Sequence, residues 1–245
     1  AIAPKFKPDI VLLSYYTGND LTDVQNHPRF DAGAPRDQRT GPAINTYSSR
    51  PYLRDFYVYH YLLPPILTVR SRLLNYREMD AVGIPADLIE DAKVFKINPW
   101  LLAVALYDKN YFLDNILMET DANMRAWEKA KGLLGEIDEI CKRQQAQLVL
   151  VIFPASVQVN ESHFEFFKRL KFNMDLRTLE SAKPQTLLRE FCGAKNIPCL
   201  DLLPAFKARR SEELFVDKDT HLNAEGNRLA AKLILEFLLK NTVIG

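Results

Sequence analysis

Two short stretches near opposite ends of the 245-residue chain hold side chains that can move a proton or steady a charge. The first is Gly18-Asn19-Asp20. An asparagine amide placed at a strand end can donate a hydrogen bond to negative charge developing on an acyl oxygen, the task of an oxyanion hole. Gly18 is expected to adopt a backbone conformation closed to other residues, so that the chain turns sharply and leaves Asn19 pointing into a cleft. Asp20 would order the loop or cap the next turn. The same three letters are also ordinary turn composition. The second stretch runs Phe215-Val216-Asp217-Lys218-Asp219-Thr220-His221-Leu222-Asn223-Ala224-Glu225-Gly226. His221 is one of four histidines, with acids two and four residues upstream. A carboxylate bonded to one ring nitrogen fixes the imidazole tautomer and leaves the other nitrogen to act as a general base. A solvated helix-entry loop would use the same residues. Asp217, Asp219 and His221 also suit a metal, but no spaced partner pair elsewhere completes a site, so no metal and no cofactor are expected.

The elements around these stretches are those of an α/β protein. Pro8 to Tyr16, Gln147 to Phe153 and Ile197 to Leu203 are apolar runs of strand length, each with proline or glycine at its borders. Such runs read as parallel strands buried on both faces. Between Asp121 and Gln145, Met124, Trp127, Leu133, Leu134, Ile137, Ile140 and Cys141 recur at helical spacing. A second helix is expected from Pro184, with Gly193 closing it. The last helix has Asn223 as N-cap, Glu225 in its first turn and an apolar face of Leu229, Ala230, Leu233, Ile234, Phe237 and Leu238. Ligands of open α/β sheets bind at the carboxyl ends of the strands, which is where both stretches should lie. From about Asp23 to Met118 no run reads as a buried strand. A polar loop there leads into Asp55-Phe56-Tyr57-Val58-Tyr59-His60-Tyr61-Leu62-Leu63, a helical insertion whose aromatics either pack on the main domain or form a lid.

Composition narrows the function. Lys plus Arg number 32 against 31 for Asp plus Glu, a net charge of +1. That balance argues against nucleic-acid binding through a broad basic face. No apolar run approaches the ~18–20 residues that cross a bilayer, and Ala1-Ile2-Ala3-Pro4-Lys5 is no signal peptide. Nine glycines include no phosphate-cradling cluster. Cys141, Cys192 and Cys199 are too few and too irregular for a disulfide framework, and the reading favours reduced thiols, with a Cys192–Cys199 pair as the alternative.

Taken together, a strand ending in Gly18-Asn19-Asp20 and an Asp219-Thr220-His221-Leu222-Asn223-Ala224-Glu225-Gly226 entry to the last helix resemble the SGNH/GDSL hydrolase family. The resemblance covers residues 5–22 and about 120–240. It implies a flavodoxin-like three-layer α/β/α sandwich, with an α/β domain of 1–22 and 120–245 and an insertion at 23–119. It implies a Ser-His-Asp mechanism on acyl esters, with Asn19 as oxyanion donor, His221 as general base and Asp219 orienting it, while Gly18, Asp20 and Asp217 support them. The family's commoner spacing puts the acid three residues before the histidine, where this chain has Lys218. An acid two residues before, as Asp219 is, resembles the polysaccharide O-acetyltransferase branch, relatives of the alginate acetylation proteins.

The family's first strands and its Gly-Asp-Ser nucleophile motif have no counterpart here. Ser14 lies in a strand, Ser48 and Ser49 in a loop, Ser162 and Ser211 near helix starts. Only Ser156 falls at a cleft edge, and it reads as a loop hydroxyl. The nucleophile is therefore expected outside this chain, on a missing N-terminal segment, with a natural pseudoenzyme as the alternative. The resemblance implies an ester hydrolase acting on a small-molecule or glycan acyl ester. The alternatives are a polysaccharide O-acyltransferase and a non-catalytic carbohydrate-binding or assembly module. By the family's habits the protein would be exported.

Overall fold

A computed structural model describes residues 7–26, 82–94 and 96–241. The chain divides into two compact units, one of Ala1–Phe30, Asn110–Lys168 and Phe172–Gly245, the other of Asp31–Lys109 and Arg169–Lys171.

The first unit is an α/β sandwich around a parallel sheet of order β1-β2-β3. Strand β1 is Ile10–Tyr16, β2 is Gln147–Phe153 and β3 is Cys199–Asp201. β1 and β2 pair from Ile10 with Gln147 to Tyr16 with Phe153, and β2 and β3 from Leu150 with Cys199 to Ile152 with Asp201. Five consecutive residues of β2, Leu148 to Ile152, are buried, as a strand covered on both faces requires. Helices α1 (Asp20–Asn26), α5 (Asp121–Arg143) and α9 (Lys183–Lys195) pack Leu21, Trp127, Leu134 and Leu188 against Leu148, Leu150 and Ile152. On the opposite face Val151 meets Phe206 of α10 (Leu203–Ala208) and Leu229 and Ala230 of α11 (Ala224–Lys240). The unit also holds α4 (Tyr111–Ile116), α6 (Ser156–Val159), the greater part of α7 (Glu161–Arg169), and α8 (Arg177–Glu180).

β1 departs from the expectation of double burial. Leu12 is 47% exposed and Ser14 is exposed, and only Tyr15 is fully buried. An apolar run marks a strand, but coverage depends on which helices lie over it, and α1 and α5 cover one side. Gly193 does not end its helix either. α9 continues to Lys195 and stops at Asn196, which takes the left-handed conformation at φ 55°. Asparagine is the second choice for that role after glycine.

In the second unit the described elements are α2 (Ala86–Lys93) and α3 (Pro99–Tyr107). Leu101, Leu102, Val104 and Ala105 of α3 are buried, and Asp87 of α2 pairs with Arg169 at 2.7 Å. The aromatic stretch Phe56, Tyr57, Tyr59 and Tyr61, read as a lid or a packing surface, lies outside the described residues, as do Ser48 and Ser49.

Candidate active site

The loop that carries His221 is a short hairpin sealed to the last helix. Phe215 and Leu222 form an antiparallel bridge. Val216 N–H donates to the His221 carbonyl at 2.9 Å, and Asp219 N–H to the Val216 carbonyl at 3.1 Å. The turn so closed places Lys218 in the left-handed region at φ 56°. Asn223 is the N-cap: its Oδ1 accepts Gly226 N–H at 2.9 Å, while its Nδ2 donates to the carbonyls of Glu213 and Phe215. Gly226 is buried with the Leu214 carbonyl directly over its Cα, so any side chain there would collide with backbone. The Asn-Ala-Glu-Gly run is therefore the joint that fixes this hairpin to α11.

Within the hairpin, His221 Nδ1 lies 2.6 Å from Asp219 Oδ1. The same oxygen accepts the main-chain N–H of Thr220 at 2.5 Å and of His221 at 3.2 Å. An ionised carboxylate can only accept, so Nδ1 carries the proton and Nε2 presents its lone pair outward. The imidazole is 75% exposed and the Asp219 side chain 20%. Asp217 is exposed.

At the end of β1, Asn19 starts α1. Its carbonyl accepts Asp23 N–H and Thr22 Oγ1 at 2.9 Å each, and its Nδ2 donates to Asp23 Oδ2 at 2.8 Å. One amide hydrogen is thus given to its own helix. Asp20 orders the loop by accepting Tyr16 N–H at 2.8 Å. Burial pushes its carboxyl up to about 6, with Asp23 adding to the effect and the Tyr16 N–H opposing it.

Gly18 serves a different purpose from the one its type suggested. Its φ is not positive. The Tyr16 ring folds back across it, and a Cβ would sit 2.5 Å from Tyr16 Cε1 and 2.6 Å from the phenol oxygen. The ring needs that vacant space to cross from β1 to the hairpin, where its hydroxyl donates to the Thr220 carbonyl at 3.2 Å. The structure therefore brings the two stretches together through Tyr16, which joins the main chain beside His221 to the turn before Asn19.

Two more groups went unread in the sequence. Thr17 Oγ1 donates to Gln158 Oε1 at 2.8 Å, and Ala155 N–H donates to the same threonine at 3.0 Å. Gln158 Nε2 reaches the Ser181 carbonyl at 2.9 Å and Gln185 Oε1 at 3.2 Å. Thr17, Ala155, Gln158 and Gln185 are all buried. His163 of α7 is buried beneath the hairpin with its ring centroid 5.8 Å from that of Phe215. Burial lowers its pKa, while Asp217 and a hydrogen bond to the Asp219 main chain work the other way. Its Nδ1 has no partner among the described residues. The signal available was weak: a histidine in the amphipathic run His163-Phe164-Glu165-Phe166-Phe167.

Ser156 is not at a cleft edge. It lies in α6 with its side chain fully buried and its hydroxyl unpartnered among the described residues. No serine hydroxyl among the described residues hydrogen-bonds His221. Nor does any group of three or more His, Cys, Asp or Glu side chains among them stand ready to hold a metal ion. No described helix is long and apolar enough to cross a membrane.

Neither the curated proteins nor the solved structures offer a significant match to this chain. A family model described as "SGNH hydrolase-like domain, acetyltransferase AlgX" matches residues 111–244. That span takes in β2 and β3, the buried glutamine cluster, His163 and the whole Asp219–His221 hairpin. The chain belongs to this SGNH hydrolase-like family of the AlgX acetyltransferase.

Proposed function

We propose that this chain supplies the base, its orienting carboxylate and an oxyanion donor for serine-dependent acyl-ester chemistry, passing a short acyl group to a sugar hydroxyl. The observation that carries the reading is the 2.6 Å bond between His221 Nδ1 and Asp219 Oδ1, which leaves Nε2 facing outward from the hairpin.

In the proposed cycle a serine that is not among the described residues attacks the acyl carbonyl while His221 Nε2 takes its proton. Asp219 stabilises the imidazolium that forms. Asn19 donates to the tetrahedral oxyanion with the amide hydrogen not given to Asp23. Collapse of the intermediate expels the donor alcohol, which takes the proton from Nε2. An acceptor hydroxyl, deprotonated by the same nitrogen, then attacks the acyl-serine and restores the starting state. Transfer is favoured by the acetyltransferase description of the matched family, and a sugar acceptor by the acid two residues before His221, the spacing that resembles the polysaccharide O-acetyltransferase branch. Water as acceptor gives ester hydrolysis, a second reading favoured by the open exposure of the imidazole.

The test uses the full-length protein with a short-chain aryl acyl donor, with and without an oligosaccharide acceptor. Acylated sugar as the main product supports transfer, and free acid despite the acceptor supports hydrolysis. His221→Ala should lower either rate by about 10⁴–10⁶-fold. Undiminished turnover in that variant, or glycan binding with no turnover in the wild type, overturns the reading.

A further inference from the structure

We propose that Tyr16 is a positioning residue, a latch whose phenol holds the Asp219–His221 hairpin in register with the Gly18–Asp20 turn. The inference rests on the reading of the site given above, and it concerns what keeps the two halves together.

Three observations carry it. The phenol donates to the Thr220 carbonyl, the one main-chain acceptor that lies between the orienting acid and the base. The ring reaches that carbonyl only because Gly18 has no side chain: a methyl there would occupy the space that the ring edge and the hydroxyl fill. The hairpin it grips turns through Lys218 at positive φ, a conformation that a residue with a Cβ holds only when its surroundings impose it. A phenylalanine would pack against Gly18 equally well, so packing alone does not account for the hydroxyl.

The Tyr16 side chain thus spans elements separated by nearly the whole chain, and its backbone belongs to the same turn. Its N–H is held by Asp20 and its carbonyl faces Asn19 N–H at 3.5 Å. Any shift of the α1 turn is transmitted through one rigid ring to the carbonyl next to His221. Burial and the nearby carboxylates of Asp219 and Asp20 push its pKa far above the usual tyrosine value, so it remains a donor over the working pH range.

The experiment compares wild type with Tyr16→Phe, using imidazole ¹³C–¹H correlation spectra of the histidine-labelled chain, with thermal melting as the control. The expected result is a displaced or broadened His221 signal and a melting temperature within about 4 °C of wild type, the scale of ~1 kcal/mol for one lost hydrogen bond. Gly18→Ala, which drives the ring from its place, should perturb the same His221 signal. In the full-length protein Tyr16→Phe should lower kcat about tenfold with KM little changed. An unmoved His221 signal in Tyr16→Phe overturns the latch. Collapse of the fold in that variant also overturns it, by making Tyr16 a core residue. A displaced His221 signal in a protein with no His221-dependent acyl chemistry leaves the latch standing and rejects the proposed function instead.

Discussion

Asp219 makes three bonds with one oxygen, to the His221 ring and to two main-chain N–H groups. Replacing it with asparagine keeps an acceptor oxygen for those three donors but removes the negative charge. The imidazolium that forms when Nε2 takes a proton then loses its neighbouring counter-charge. Asp219→Asn should therefore lower acyl turnover by about 10⁴-fold with little loss of stability, checked by initial rates and thermal melting side by side. Lys218 offers the opposite kind of change. It holds φ 56°, and Lys218→Gly should stabilise the fold by about 1 kcal/mol in a urea titration, because glycine adopts that region without penalty. The His221–Asp219 pair was implied by the family resemblance, whereas the residues alone left Asp217 open as well; the structure puts Asp219 on Nδ1 at 2.6 Å and leaves Asp217 exposed. Tyr16 was not legible in the sequence. Its contact with Thr220 spans 204 positions, and no local pattern in Tyr16-Thr17-Gly18 announces which way a ring will fold.

Among the elements, α11 was read most completely. Its cap, its first-turn acid and its apolar face all follow from local chemistry, and Asn223 does cap it. The same residue also ties down Glu213 and Phe215, so Asn223→Ala removes more than a cap. It should cost about 2 kcal/mol, the upper end for such positions, measured by chemical denaturation. Gly226→Ala should cost about 1–3 kcal/mol, since the added methyl meets the Leu214 carbonyl and the backbone must move. Both changes act on the hairpin's anchor and not on its chemistry. Strand β1 and the end of α9 were read less well, for a shared reason. Hydrophobic runs and single glycines report local preference, whereas burial of β1 depends on distant helices, and a helix stops where some residue accepts positive φ. Here Asn196 did so three positions beyond Gly193.

Across the first unit as a whole, a half-buried carboxyl and a buried imidazole give stability opposite dependences on pH. The Asp20 carboxyl is raised from 3.8 to about 6. The folded state then holds that proton more tightly than the unfolded chain, and stability from Asp20 grows as pH falls from above 6 toward 3.8. His163 is lowered from 6.5 by burial. Its contribution is fully present above 6.5, begins to fall below that value and is lost as pH falls through the lowered folded-state pKa. Asp20→Asn keeps an acceptor for the Tyr16 N–H and removes the first effect. Relative to wild type, its melting temperature should be higher at pH 8 than at pH 5, and an equal difference at both values would show that Asp20 is not raised. The α/β order of this unit was visible in three apolar runs, but the buried polar cluster that backs the strand ends was not, since single glutamines and threonines carry no periodic signal. That cluster has a kinetic corollary. Gln158 stitches together the ends of two strands, the Ser181 carbonyl and α9, so none of these can fray alone without stranding a buried amide. The Ala155 peptide proton should consequently trade with deuterium only when the entire unit melts, among the slowest in the chain, whereas the exposed His221 hairpin should exchange orders of magnitude sooner.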